Sequence, residues 1–336
     1  MKKDVYFGTY TQNQSKGIYK AQFDQETGSL SDLDIIIQTQ SPNYLALSQK
    51  GNLYSIVKEG NKGGIAAFNP KGQLINQLVS EGAPLCHIAI DESRQLLYGA
   101  NYHKGEVSVY HIQKNGGLKL ADLVTLEGSG PHPHQKSPHA HYVGLSPDHF
   151  LMTCDLGADK VRSYAISPKG HLNLITEYQS RPGSGSRHLV FHPNQKIAYL
   201  LCELSSTVEV LIYNGCSYFE RLQTIGTLPK TYDGFNATAA IRISADGRFL
   251  YVSNRGHDSI ACFTIEKDAQ LSLLDIVPCH GKTPRDFNLS PDQNYLLVGH
   301  QDSNHASVFK RDQQSGRLSL LDKSFCLPEA VCVLFA

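Results

Sequence analysis

Apolar residues along this chain come in short runs, and the runs come in pairs separated by turn-forming residues. "HYVGLSPDHFLMTCD" (141–155) shows the layout: an apolar stretch, a turn built on S-P-D, and a second apolar stretch. It returns in "SPNYLALSQKGNLYSI" (41–56), "CHIAIDESRQLLYGAN" (86–101), "RHLVFHPNQKIAYLLCE" (187–203), "AIRISADGRFLYVSN" (240–254) and "RDFNLSPDQNYLLVGH" (285–300). A half-repeat, "EAVCVLFA", ends the chain. Short apolar runs punctuated by Gly, Asn, Asp and Pro predict β-hairpins. Long patterns of period 3.6 are absent, so helices are not expected.

Alignment on the turn places Asn43, Cys86, His141, Arg187, Ala239, Arg285 and Glu329 at one equivalent position, recurring about every 48 residues in a chain of 336. Seven units result. Between the hairpins lie further strand-like pieces, "VSVYHI", "VRSYAI", "VEVLIY", "IACFTI" and "ASVFKR", which bring each unit to four strands. Four-stranded units at this period predict an all-β, seven-bladed β-propeller, one domain over residues 1–336 with four antiparallel strands per blade. The N-terminal "DVYFGTY" matches the second strand of a hairpin whose first strand is the C-terminal "AVCVLFA". Pairing of these two strands would close the ring and leave no open sheet edge.

Composition narrows the function classes. The 31 basic and 31 acidic side chains balance, which gives no electrostatic reason to expect nucleic acid or an anionic membrane as partner. No apolar run is long enough to span a bilayer. The start "MKKDVYFGTYT" lacks the apolar region of a secretory signal. Eight scattered cysteines without a C-x-x-C, Cys216 among them, then read as reduced and mostly buried thiols in a cytoplasmic protein, a monomer or weak homodimer.

In a hairpin the start of the first strand and the end of the second lie at one edge. The aligned position above is therefore paired with a second ring of residues: Thr9, Val57, Asn101, Asp155, Glu203, Asn254 and His300. Polar residues concentrate in consecutive blades: His141 with Asp155, Arg187 with Glu203, Asn254 followed by Arg255, and Arg285 followed by Asp286. Charged groups of both signs converging from separate blades predict a small-molecule site. Cys154 and Cys202 stand where other blades carry small residues, which predicts packing. The stretch "PHPHQKSPHAH" holds His132, His134, His139 and His141. Zinc would require three or four of them in a defined geometry; a single histidine acting as base or donor is the preferred expectation, with no metal and no cofactor. His139 and His141, two apart, should share a face if extended. His192 replaces the turn serine.

"SPHAHYVGLSPD" with "DLGADKV", "GSGSRHLVFHPNQKIAYLLCELSSTVEV", "IRISADGRFLYVSNRGHDSIACF" and "GKTPRDFNLSPDQNYLLVGHQDSN" resemble, in order, the motifs of the lactonase family of seven-bladed β-propellers. "YFGTYTQNQSKGIYKAQFDQETGSL" fits its first blade, so the likeness covers essentially the whole chain. The resemblance implies metal-free hydrolysis of 6-phospho-D-glucono-1,5-lactone in the pentose phosphate pathway. The family also includes a fungal muconate cyclase that forms a lactone. Its catalytic His, Arg, Glu and second Arg fall by motif on the S-P-H-A-H stretch (His139 or His141), Arg187, Glu203 and Arg255. Two departures, Ala245 for a usual Pro and His300 where Asn is common, bear on substrate rather than fold.

Lactone opening needs a base for water, a cation for the oxyanion and a cradle for any phosphate. Glu203 or His141 is the candidate base, and His141 has the better intrinsic pKa. Arg187, Arg255 and Arg285 divide between oxyanion and phosphate. "GSGS" (183–186) lies in a loop rather than a nucleophile elbow, so direct attack by water is expected over an acyl-enzyme. A sugar lactone phosphate is the expected ligand, with Asp155, Asn254, Asn101 and His300 as further binding residues. Two other readings remain open: an enzyme acting on an unphosphorylated carboxylated ring, and a non-catalytic protein-binding propeller.

Overall fold

The computed structural model of the chain describes residues 1–215 and 218–336; Cys216 lies outside the described residues. Among them the regular structure is 28 β-strands without a helix, forming seven four-stranded sheets. The fold is the seven-bladed β-propeller that the repeat predicts. Each quoted hairpin becomes two adjacent strands, for example Ala140–Leu145 with Leu151–Asp155 and Ala237–Ile243 with Phe249–Arg255. No helix long and apolar enough to cross a membrane occurs among the described residues.

The S-P-D turns fold the way they do because the serine hydroxyl serves twice. Ser146 Oγ donates to Asp148 at 2.7 Å and accepts the Phe150 amide at 3.1 Å; Ser244 and Ser290 repeat both contacts with Asp246 and Phe249, and with Asp292 and Tyr295. His192 substitutes as expected, its Nδ1 accepting the Asn194 amide at 3.0 Å. Blades are then stitched by tyrosines on the second strand of three of the hairpins. The hydroxyls of Tyr54, Tyr199 and Tyr251 donate to the carbonyls of Gly116, Ala269 and Gly316, in the last turn of the following blade. Their rings are fully buried, so the same residue supplies core area and satisfies its own polar tip.

The chain divides into two compact units. One comprises Met1–Gln38, Val190–Ile212 and Arg221–Ala336. Its core has three clusters, centred on Val5, Phe7, Phe23 and Leu297; on Tyr199, Val210 and Phe263; and on Tyr251, Phe287 and Phe309. The other comprises Thr39–Leu189 and Tyr213–Glu220, built around Tyr54, Ile65 and Leu97 and around Tyr98, Val109 and Leu151. Of the described cysteines, Cys154, Cys202, Cys262, Cys279 and Cys332 are buried, as packing thiols should be; Cys86 is half-buried and Cys326 exposed. Burial pushes the Cys279 thiol up to about 12, well outside the range in which a thiol is reactive.

The first unit ties the two chain ends together. Strand Lys2–Thr9 pairs antiparallel with Ala330–Phe335 on one side and with Gly17–Asp24 on the other. Ahead of the last strand, the buried Glu329 carboxylate accepts the backbone amides of Gln12, Asn13, Gln14 and Ser15 at 2.8–3.1 Å. Four successive amides form a concave nest around one anion. Deleting residues 329–336 should therefore lower the thermal midpoint sharply. Glu329→Ala alone should cost about 2–3 kcal/mol, because it removes the charged acceptor that gathers segment 12–15. Thermal melts of the two variants decide this, and a midpoint unchanged in the truncated protein would refute the pairing.

Candidate active site

Hairpin register places the functional residues through a device that simple alternation does not include. In the sheet of Ala140–Leu145, Ala140 pairs with Asp155 and Tyr142 with Cys154, so His141 is the extra residue of a β-bulge. Pro284 pairs with His300 and Asp286 with Gly299, which makes Arg285 a bulge residue in the same way. A bulge leaves one residue out of the ladder and re-aims its side chain. His139 and His141 both reach Tyr102, the His141 ring meeting it edge-on at 5.8 Å. The His139 ring stacks on Tyr102 at 4.2 Å with planes 7° apart, and its Nδ1 is 2.8 Å from the Tyr102 carbonyl, which can only accept. The His141 ring also lies 5.2 Å from that of His188.

Within the unit 39–189, His141, Arg187, His188 and His87 are all at least nine-tenths buried. Arg187 Nη1 lies 3.2 Å from His188 Nε2. A guanidinium only donates, so Nε2 accepts and His188 is neutral with its proton on Nδ1. His87 packs against Tyr44 at 4.2 Å, Tyr142 at 4.8 Å and His188 at 5.1 Å between ring centroids. The result is a continuous patch of imidazole and phenol rings beside a buried cation. Tyr44, His87, Tyr142 and His188 each occupy the position directly after the aligned one, and stepping the sequence register by one residue would have found the first three. The loop entering Arg187 is fixed by Asp159, whose carboxylate accepts the amides of Gly183 at 2.7 Å and Gly185 at 2.6 Å. The serines of "GSGS" join this support, Ser184 and Ser186 bonding to Ser180.

In the other unit Arg255, at the end of Phe249–Arg255, is a second anchored cation. Its Nε donates to the Ala237 carbonyl at 3.2 Å and its Nη2 to that of Thr238 at 3.1 Å, and Nη2 meets Glu203 Oε2 at 3.0 Å. Burial pulls the guanidinium pKa down; the Glu203 carboxylate offsets this, and the positive charge of Arg285 adds to the lowering. Arg285 lies over the ring of Tyr10 at 5.4 Å, a cation–π contact.

The second ring of sequence-derived residues has a different job. Asp155 is fully buried; it accepts the amides of His139, Gly157 and Ala158 and pairs with Arg162 at 2.7 Å. Asn101 bonds the Ala83 carbonyl and the Lys104 amide. Asn254 bonds the Thr227 carbonyl, the Thr227 hydroxyl, Asn236 and Ser259. These side chains cap the loops that leave their strands, whereas Glu203 pairs with Arg255, the residue after Asn254. His300 is likewise internal rather than facing a ligand: it is fully buried, its Nε2 is 2.9 Å from Ser307 Oγ, and a Cβ on Gly281 would come within 2.5 Å of its ring. Of the four histidines in 132–141, His132 and His134 stack on each other at 5.3 Å, while His139 and His141 both meet Tyr102, at 4.2 and 5.8 Å. Among the described residues no three His, Cys, Asp or Glu side chains converge as a metal site would require.

With this geometry in view, comparison with known proteins gives a consistent picture. The family described as "Lactonase, 7-bladed beta-propeller" matches residues 4–335, and the chain belongs to that family. It is 36% identical to the 6-phosphogluconolactonase of Bacillus subtilis strain 168, over 98% of this chain and 97% of that protein. The crystal structure of a Lactobacillus plantarum protein superposes with a TM-score of 0.98 at 43% identity, covering all of both chains. The periplasmic gluconolactonase of Pseudomonas aeruginosa superposes with a TM-score of 0.88 at 30% identity, over 100% of this chain and 99% of that one.

Burial, with like charge from His305 and His280, lowers the His300 pKa to about 3. The folded state thus binds this proton less readily than the unfolded state. The resulting stability is complete above the unfolded value of about 6.5 and is lost as pH falls toward 3, by about 1.4 kcal/mol per pH unit. His300→Asn should flatten that limb. Urea unfolding between pH 7 and 4.5 measures it, and equal slopes for both proteins would mean that His300 is not the neutral buried group described.

Proposed function

We infer that the protein hydrolyses 6-phospho-D-glucono-1,5-lactone to 6-phospho-D-gluconate, in the cytoplasm and without a metal. The observation that supports this reading is the pair of held cations at one end of their sheets, Arg255 fixed by two carbonyls and Glu203 and Arg285 over the Tyr10 ring, with the charge of Arg285 lowering the Arg255 pKa. A bound phosphate offsets these like charges, and guanidinium groups match its oxygens well. Likeness to the Bacillus subtilis enzyme supports the phosphorylated substrate.

In this reading His141 takes a proton from water as the water oxygen bonds to the lactone carbonyl carbon. The carbonyl oxygen becomes an oxyanion, which the buried charge of Arg187 stabilises. Collapse breaks the bond to the ring oxygen, which takes the proton back from His141, and the carboxylic acid so formed loses its remaining proton to solvent, so that the product leaves as a carboxylate and a hydroxyl. His188, neutral and bonded to Arg187, orients the guanidinium. Glu203 orients Arg255 through their ion pair; a carboxylate oxygen engaged by a guanidinium is less available to take a proton, which favours His141 over Glu203 as the base. A second reading, hydrolysis of an unphosphorylated gluconolactone, is favoured by the likeness to the Pseudomonas aeruginosa protein.

Kinetics on freshly made 6-phosphogluconolactone and on gluconolactone separate the two readings. A charged hydrogen bond contributes about 1.5–3 kcal/mol. Arg285→Ala should therefore raise KM for the phosphorylated substrate roughly ten- to a hundredfold and leave gluconolactone nearly unaffected. His141→Ala and Arg187→Ala should lower kcat on both, by about a hundredfold or more. An equal loss on both substrates for Arg285→Ala removes its assignment to phosphate and favours the second reading. Dialysis against a strong chelator should leave the activity intact; loss restored by added metal would contradict the metal-free mechanism.

A further inference from the structure

The loop 227–236 leads into the strand Ala237–Ile243, whose first two carbonyls hold Arg255. Its backbone is pinned along its length. The Thr227 amide and hydroxyl bond the Ser206 carbonyl, and Asn236 Nδ2 bonds Ser206 Oγ at 2.9 Å. Asn236 Oδ1 accepts the His257 amide, and the Tyr232 ring meets that of His257 edge-on at 4.6 Å. The Tyr232 hydroxyl donates to the Phe235 carbonyl at 2.9 Å. Gly256, the residue after Arg255, has φ +111°, and a Cβ there would lie 2.2 Å from the Phe235 carbonyl oxygen and 3.1 Å from Cδ1 of its ring. Only glycine admits this approach. The loop is thus locked down onto Arg255 and Gly256, yet the Phe235 side chain is 79% exposed, the most exposed large apolar side chain among the described residues.

A rigid backbone that displays an aromatic ring to water beside an anchored arginine gains nothing from that ring in the free protein. An aldonolactone has one edge bearing anionic or hydroxyl groups and an apolar face of C–H bonds, against which an aromatic ring packs. We propose that Phe235 is a specificity-determining residue that covers the C–H face of the lactone ring held at Arg255. The substrate class rests on the lactonase reading above. The ring face is common to phosphorylated and unphosphorylated lactones, so the contribution of Phe235 is the same for both, unlike that of a phosphate-binding arginine.

The chain contains no tryptophan, so Phe235→Trp introduces a single fluorophore at the proposed contact. Its emission should shift to the blue, saturably, when the purified full chain is titrated with 6-phosphogluconate or with gluconate. Phe235→Ala should raise KM for both lactones by a similar factor, about three- to tenfold for loss of one apolar ring contact, with kcat little changed and Phe235→Tyr restoring KM. An unmoved emission with both acids, or an unchanged KM in Phe235→Ala, overturns the proposal. Because Phe235 is exposed, its variants should keep the wild-type thermal midpoint, which separates these readouts from misfolding. A wild type that hydrolyses neither lactone sinks the lactonase reading, and the fluorescence titration still decides on Phe235.

Discussion

The contact on which much of this structure depends is the capture of Glu329 by four consecutive backbone amides. It sits at the entry to the last strand, which pairs with the first. A buried carboxylate without such donors would be costly, and the four amides supply them. The captured segment, 12–15, follows Tyr10, whose ring lies under Arg285. Joining the chain ends and placing a cation of the site are therefore parts of one arrangement.

Buried charge is the second organising fact. Arg187 and Arg255 are withdrawn from water and held by neighbours that are themselves fixed, His188 in one case and two backbone carbonyls with Glu203 in the other. Guanidinium groups kept this dry act on an anion far more strongly than surface cations do. They need no reorganisation when charge develops, which is how preorganised sites lower barriers. Hydrogen bonding also fixes proton positions: the arginine forces the lone pair of His188 Nε2 outward, and a carbonyl holds a proton on His139 Nδ1.

The fold was legible almost entirely from the chain itself. Period, turn chemistry and the match between "DVYFGTY" and "AVCVLFA" required only local pattern, and each became the expected strand pairing. The candidate site was legible in part. Counting on from the S-P-D turn found His141, Arg187 and Arg285, because that turn sets the register. It ranked the second ring too highly: Asp155, Asn101 and Asn254 look chemically capable, but their capacity is spent on loop amides and carbonyls that no sequence pattern displays. The bulge at His141 was not legible, because a bulge is a property of two strands in register, not of one. His300 looked accessible for a related reason, since its burial depends on Gly281 and Ser307 from other segments.

The bulges at His141 and Arg285 carry an evolutionary consequence. A side chain there stands outside the pairing of its sheet, so exchanging it alters chemistry while the strand ladder keeps its partners. The neighbouring loop-capping residues have no such freedom. The scaffold thus separates sockets open to variation from positions committed to folding. A protein arranged in this way can exchange the side chains at these two positions by single substitutions, without passing through an unfolded intermediate in its history.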